Sequence, residues 1–147
     1  MVQRRTRSPQ ATQSFGVEIA GSLIAGSVVG LFGELGSGKT CLAQGICKGL
    51  GVEGRVTSPT FVMINEYLGC VDGREITVYH FDLYRLGRST ELYELGYEEY
   101  FFGNGICLIE WAERAGGLLP KEAWRIYLSY VSDHERDVAF CNGADEP

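Results

Sequence analysis

Gly33-Glu34-Leu35-Gly36-Ser37-Gly38-Lys39-Thr40 decides the reading of this chain. Its spacing is that of the Walker A loop, in which small residues let consecutive backbone N–H groups turn inward around an anion. Lys39 stands where an ammonium reaches the outer phosphates of a nucleotide, and Thr40 where a hydroxyl meets Mg²⁺. Cys41 follows at the start of a segment that suits a helix through Leu50, whose first N–H groups and partial positive charge would face the same anion. Upstream, Val28 to Phe32 is an apolar run broken only by Gly30, as a buried strand requires. Strand, glycine loop and helix in that order imply a phosphate-binding α/β fold.

Such a loop holds phosphates but leaves the metal ion and the attacking water to an acid, usually at the end of a neighbouring apolar strand. Glu110 ends the run Ile106-Cys107-Leu108-Ile109, where a carboxylate is costly unless it meets a cation or a hydrogen-bond network. The alternative is a strand-end carboxylate at the solvent rim. Asp82 ends Tyr79-His80-Phe81 and is read either as a group orienting the hydrolytic water or the metal, or as a cap for the turn Leu83-Tyr84-Arg85. Ser58-Pro59-Thr60 lies in a loop where a hydroxyl could meet Mg²⁺ or the terminal phosphate and let go after hydrolysis. The plainer reading is a proline turn before a strand. Trp111 either shields the site, contacts a partner or packs in the core, and His80 reads as a half-buried histidine with satisfied hydrogen bonds. Arg85 and Arg88 carry no assignment.

Further out, Phe15, Ile19, Leu23 and Ile24 recur at helical spacing from Ala11 to Ala25, with Gly26 as a stop. Phe61 to Tyr67 and Ile76 to Phe81 read as strands, and Asp72-Gly73 between them favours an antiparallel hairpin. The sheet is therefore expected to be mixed, flanked by helices in three layers. Ser89 serves as a candidate N-cap for a helix through Leu95, with a further helical turn over Tyr97 to Phe102. Trp124 to Val131 and Asp137 to Cys141 read as two closing strands, with Asp133 in their turn.

The 147 residues suit one domain, with residues 1–8 and 142–147 expected to be flexible. A net charge of −6 argues against a broad basic surface for nucleic acid, although Arg4, Arg5 and Arg7 precede the first acid, Glu18. Any RNA contact is thus expected to be indirect. The five cysteines form no close pair resembling a metal or redox motif and read as reduced thiols. No stretch is long and apolar enough to span a bilayer, so a cytoplasmic protein without a membrane partner is expected.

Several segments together resemble the bacterial TsaE (YjeE) ATPases, which assist the synthesis of threonylcarbamoyladenosine in tRNA. They are GELGSGKT at Gly33 to Thr40, TSPTF at Thr57 to Phe61, YHFDLYRL at Tyr79 to Leu86, the Glu94-Leu95-Gly96 turn, and LIEWAE at Leu108 to Glu113. The first is generic; the combination in this order is specific. The resemblance implies ATP/ADP as ligand, Mg²⁺ dependence, and weak hydrolysis that depends on TsaB- and TsaD-like partners. It implies Lys39 and Thr40 for phosphate and metal, Glu110 as the Walker B acid supporting Mg²⁺, and Asp82 and Thr60 in hydrolysis or switching. The family often has a threonine where Thr12 stands, and Ala112 departs from the proline that many relatives carry after the tryptophan.

A small-molecule kinase would also use a P-loop, but it needs an acceptor pocket and commonly a basic lid, and no Arg-rich lid segment is present. A regulatory GTPase would carry an Asn-Lys-x-Asp guanine signature, which is absent. A nucleotide-dependent binding module without hydrolysis is the remaining alternative.

Overall fold

The computed structural model describes residues 2–59 and 63–142. The order of elements is β1 (Val2–Thr6), α1 (Pro9–Ala20), β2 (Val28–Phe32), α2 (Lys39–Gly49), β3 (Ile64–Val71), β4 (Arg74–Asp82), α3 (Glu91–Glu94), α4 (Tyr97–Phe101), β5 (Ile106–Glu110), a 3₁₀ segment (Ala112–Leu118), β6 (Trp124–Tyr130) and β7 (Arg136–Cys141). The strands form one sheet in the order β1-β7-β6-β2-β5-β4-β3. β2 runs parallel to both β5 and β6, and β4 parallel to β5. The β3–β4 and β6–β7 pairs and the β1–β7 edge are antiparallel, so the sheet is mixed as expected.

Alternation along the central strands sends side chains to two cores. Val29 and Leu31 of β2, Ile76 and Val78 of β4, and Ile106 and Leu108 of β5 face α1 and α2, meeting Phe15, Leu42 and Ile46. Cys107, Ile109 and Phe81 face the other side, where Leu83, Leu92, Tyr97 and Phe101 cover them. The result is three layers, with β2 and β5 buried on both faces and apolar up to Glu110 at the end of β5. The α1–α2 contact is backbone-close: a Cβ on Gly16 would lie 2.7 Å from both the Ile46 nitrogen and the Leu42 oxygen, and one on Gly45 would strike the Gln13 carbonyl. This tight pairing fixes α2, and with it the phosphate loop at its N-terminus.

Several boundaries differ from the sequence reading. Helix α1 starts at Pro9, because Ser8 caps it by accepting from the Ala11 N–H at 3.0 Å and proline is favoured in the first turn. It stops at Gly21 rather than Gly26, leaving Ile24 66% exposed. Residues 2–8, expected to be flexible, instead form the edge strand β1 and the cap of α1, since Val2–Thr6 pairs with Arg136–Phe140. Thr90, not Ser89, is the N-cap of α3, and its side chain makes no capping bond; the Ser89 carbonyl accepts from the Leu92 N–H in a tight turn. Strand β3 begins at Ile64 and extends to Val71, while the expected strand start at Phe61 lies outside the described residues. In the β3–β4 hairpin Asp72 and Gly73 both adopt positive φ, 51° and 78°, as an Asp-Gly hairpin turn demands. All five cysteines are free thiols, with Cys47, Cys107 and Cys141 buried. No helix among the described residues is long and apolar enough to cross a membrane.

Candidate functional site

The parallel strands β2, β4 and β5 end at the same edge of the sheet, and the loop Gly33 to Thr40 rises from that edge. Two glycines shape it. At Gly33, with φ of 151°, a Cβ would sit 2.5 Å from the Ser37 Oγ and 2.6 Å from the Leu128 carbonyl oxygen. Gly38, at φ 102°, is the N-cap of α2 and brings no side chain to its first N–H groups. Those donors are thus left for a ligand, and the helix dipole favours an anion there.

Lys39 is almost fully buried and folds back over the loop. Its Nζ donates to the carbonyl oxygens of Gly33 at 2.5 Å and Glu34 at 2.9 Å, and lies 3.9 Å from the centre of the Trp111 ring. Burial draws the Lys39 ammonium below the usual lysine range, while the carboxylates of Glu113, Glu110, Asp82 and Glu34 act in the other direction. Glu113 also accepts from the Gly33 N–H at 3.2 Å, so the Gly33 peptide is held at both ends of the loop's first turn. Trp111 follows β5 in the left-handed region, φ 57°, which is costly for a bulky residue and turns its indole over the lysine. It also packs against the second core, so it lies over Lys39 at the cleft and against the core together.

Glu110 is the hub. Its Oε1 accepts from the Thr40 Oγ1 at 2.7 Å, and its Oε2 from the Ser58 Oγ at 3.0 Å and from His80 Nε2 at 2.6 Å. The Thr40 and Ser58 hydroxyls lie 2.8 Å apart. The carboxylate is only 2% exposed, so it is no rim acid. Burial alone would push its pKa up. The hydrogen bonds from His80, Thr40 and Ser58 and the attraction of His80 outweigh that and hold the carboxyl below the usual glutamate range.

Asp82 lies directly opposite Glu110 in the β4–β5 register. Its Oδ1 accepts from the Tyr84 N–H at 3.0 Å, so the capping expected of it is present. It also lines the same open cleft of about 400 Å³ as Leu35 to Cys41, Ser58, Tyr84, Glu110 and Trp111. Burial raises its pKa, the Tyr84 N–H counters this, and the nearby Glu110 raises it further. Cys41 lines the cleft, and its Sγ donates to the Pro9 carbonyl at 3.3 Å. Thr60 lies outside the described residues. Thr12 is buried and bonds Thr6 and the Ser8 carbonyl, tying α1 to β1.

Sequence reasoning undervalued His80. It is fully buried, not half-buried, and among the described residues only Nε2 is bonded while Nδ1 has no partner. The signal was available: Ile76, Val78 and His80 alternate onto one face, and the third position breaks an apolar stripe beside the strand that ends in Glu110.

An uncapped helix N-terminus, an inward lysine and a buried hydroxyl–carboxylate cluster at the carboxyl edge of a parallel sheet define a P-loop nucleotide-binding protein. The sequence model described as threonylcarbamoyl adenosine biosynthesis protein TsaE matches residues 6–138. Three similar proteins carry the name tRNA threonylcarbamoyladenosine biosynthesis protein TsaE. One from Treponema pallidum is 38% identical over 90% of this chain and 95% of its own length. One from Bacillus subtilis is 39% identical over 92% and 82%, and one from Nostoc sp. 46% identical over 88% and 78%. The crystal structure of Bacillus subtilis YdiB superposes with a TM-score of 0.76 at 35% identity, covering 97% of this chain and 85% of that one. The chain belongs to the TsaE family.

Proposed function

We propose that this protein is an ATPase of the machinery that makes threonylcarbamoyladenosine in tRNA, working in the cytoplasm. It binds ATP with Mg²⁺ and hydrolyses it slowly to reset a complex of TsaB- and TsaD-like partners between turnovers. The observation that carries this reading is the cluster of Thr40, Ser58 and His80 around the buried Glu110 carboxylate, set beneath an uncapped P-loop helix. A protein that merely held phosphate would need the loop alone.

The donor set suits magnesium. Thr40 Oγ1 and Glu110 Oε1 are hard oxygen donors side by side, and both would hold the ion, Glu110 directly or through water. Among the described residues no group of three or more His, Cys, Asp and Glu side chains could hold a metal, so phosphate oxygens and water would have to complete the coordination. The chemistry Mg²⁺ would supply there, held by Thr40 and Glu110, is neutralisation of charge on the outer phosphates. Lys39 exchanges the Gly33 and Glu34 carbonyls for phosphate oxygens, and phosphate oxygens take the place of the missing side-chain cap by accepting from the N–H groups at the start of α2. Asp82, beside Glu110 and open to the cleft, orients the attacking water. Ser58 and Thr60 supply the switch, with Ser58 already hydrogen-bonded to Thr40 and Glu110.

Contact with tRNA is indirect. Arg4, Arg5 and Arg7 each face an acid, at 2.7 Å from Glu18, 2.8 Å from Asp137 and 3.6 Å from Glu135, so the basic N-terminus offers little unneutralised charge to phosphates. The test is an ATPase assay with and without purified TsaB- and TsaD-like proteins and tRNA. Release of inorganic phosphate that rises when the partners are present is expected; transfer of the terminal phosphate to a metabolite would replace this reading with a kinase.

A further inference from the structure

The geometry points to His80 as the positioning residue for the Glu110 carboxylate, the fixed support that aims Oε1 at Thr40 and the metal position. The inference rests on the reading that Thr40 and Glu110 hold Mg²⁺.

On β4, Ile76, Val78 and His80 share the face that packs against α2, and the first two are core residues. An apolar side chain would fill the third position without the cost of burying a polar ring. The imidazole there is fully buried and, among the described residues, leaves Nδ1 without a partner, so packing and self-satisfaction do not account for it. Its single bond is the short one, 2.6 Å from Nε2 to Glu110 Oε2. Parallel pairing sets His80 opposite Leu108, so Glu110 is its diagonal neighbour on the same face, and the reach is built into the sheet.

The two carboxylate oxygens are therefore divided. Oε2 receives His80 and Ser58, while Oε1 receives Thr40. Holding one oxygen fixes the rotation of the carboxylate about its terminal bond and so directs the other. Ser58 stands on a loop, and a group that must move cannot be the sole support. His80 stands on an inner strand hydrogen-bonded on both edges. His80 is not itself a metal donor, because Nε2 is committed to Glu110 and Nδ1 is enclosed.

The test uses three variants of the full chain. In His80→Gln the amide nitrogen reaches the place of Nε2; in His80→Asn it reaches only the place of Nδ1; His80→Leu removes the donor. Binding of a non-hydrolysable ATP analogue is measured by calorimetry in EDTA and across a Mg²⁺ titration. In EDTA all three should bind within about twofold of the wild type, since the loop is untouched. The Mg²⁺ concentration giving half-maximal enhancement should rise roughly tenfold or more for Asn and Leu and stay within about threefold for Gln, as expected when a residue supporting a metal ligand is lost or mimicked. Half-points equal to wild type in the Leu variant, or equal losses in Gln and Asn, would overturn the assignment. Should Asn and Leu fail to fold, Gln decides alone: a near-wild-type half-point supports the assignment and a tenfold rise overturns it. A wild-type protein indifferent to Mg²⁺ would overturn the magnesium reading and this inference together, whereas a responsive wild type whose half-point is unchanged in the Leu and Asn variants overturns the inference alone.

Discussion

Replacing Glu110 separates the stability of the cluster from its chemistry. A carboxyl held below its ordinary pKa is one whose ionised form the fold stabilises, so its removal should cost stability even though it is buried. In Glu110→Ala the fully buried His80 Nε2 loses a 2.6 Å bond, and both hydroxyls lose their acceptor. Thr40 and Ser58, 2.8 Å apart, still serve one another, which leaves the imidazole N–H and one hydroxyl unsatisfied. At about 1–3 kcal/mol for each orphaned group, less some relief from no longer burying a charge, the expected loss is about 2–4 kcal/mol. Glu110→Gln keeps one oxygen for His80 and Ser58, and Thr40 can turn its hydroxyl to accept from the new amide. Its loss should be about 1 kcal/mol or less. For a chain of this size each kcal/mol is worth about 2–4 °C in Tm, so the Ala variant should melt roughly 5–15 °C lower and the Gln variant within a few degrees of wild type. Thermal melts at neutral pH without nucleotide measure this directly, and ATP hydrolysis should be lost in both. An Ala variant as stable as wild type, or a Gln variant as damaged as Ala, would refute the view that hydrogen bonds from three donors outweigh the cost of burying this carboxylate.

Lys39→Ala should weaken ATP binding by roughly 100-fold or more while leaving the fold intact, because charge-assisted phosphate contacts are lost and its present partners are mostly backbone carbonyls; calorimetry reads the affinity. Asp82→Asn should slow hydrolysis yet leave Tm unchanged or slightly raised, since the amide oxygen can still accept from Tyr84 and repulsion from Glu110 disappears; steady-state turnover beside a melt gives both numbers. The pH dependence has a definite sign. Because the folded Glu110 titrates below its unfolded value of 4.5, its stabilising contribution is present above that value and is lost as the pH falls through the lower folded one. Urea denaturation should therefore show the gap between wild type and Glu110→Ala narrowing below pH 4.5, with a constant gap counting against the assignment.

The phosphate loop was legible because its geometry demands particular residues at fixed spacing, and the apolar runs before and beside it could only be buried strands. Glu110 followed from the same logic, as a charge at the end of an apolar run. What escaped depended on distant pairing. Val2–Thr6 is arginine-rich and exposed except at Thr6, and becomes a strand only because the far end of the chain, Arg136–Phe140, lies beside it. The strand order was likewise invisible, being set by which faces α1 and α2 cover. Ser8-Pro9 was a readable helix start that the apolar periodicity, beginning later, obscured. His80 was misjudged because a histidine in an apolar stripe is ordinarily satisfied locally, and its partner sits on the neighbouring strand 30 positions away. The contacts of the Ser58 hydroxyl with Thr40 and Glu110 were likewise out of reach, because they join residues 18 and 52 positions apart.

The account turns on a loop and helix that together hold a nucleoside triphosphate through Lys39 and the first N–H groups of α2. Titration calorimetry of the intact chain with ATP and Mg²⁺ tests it most directly. One ATP per chain should bind with measurable heat, and the heat should vanish in Lys39→Ala. A folded wild-type chain that gives no heat with any nucleoside triphosphate, with its partners present or absent, would contradict it.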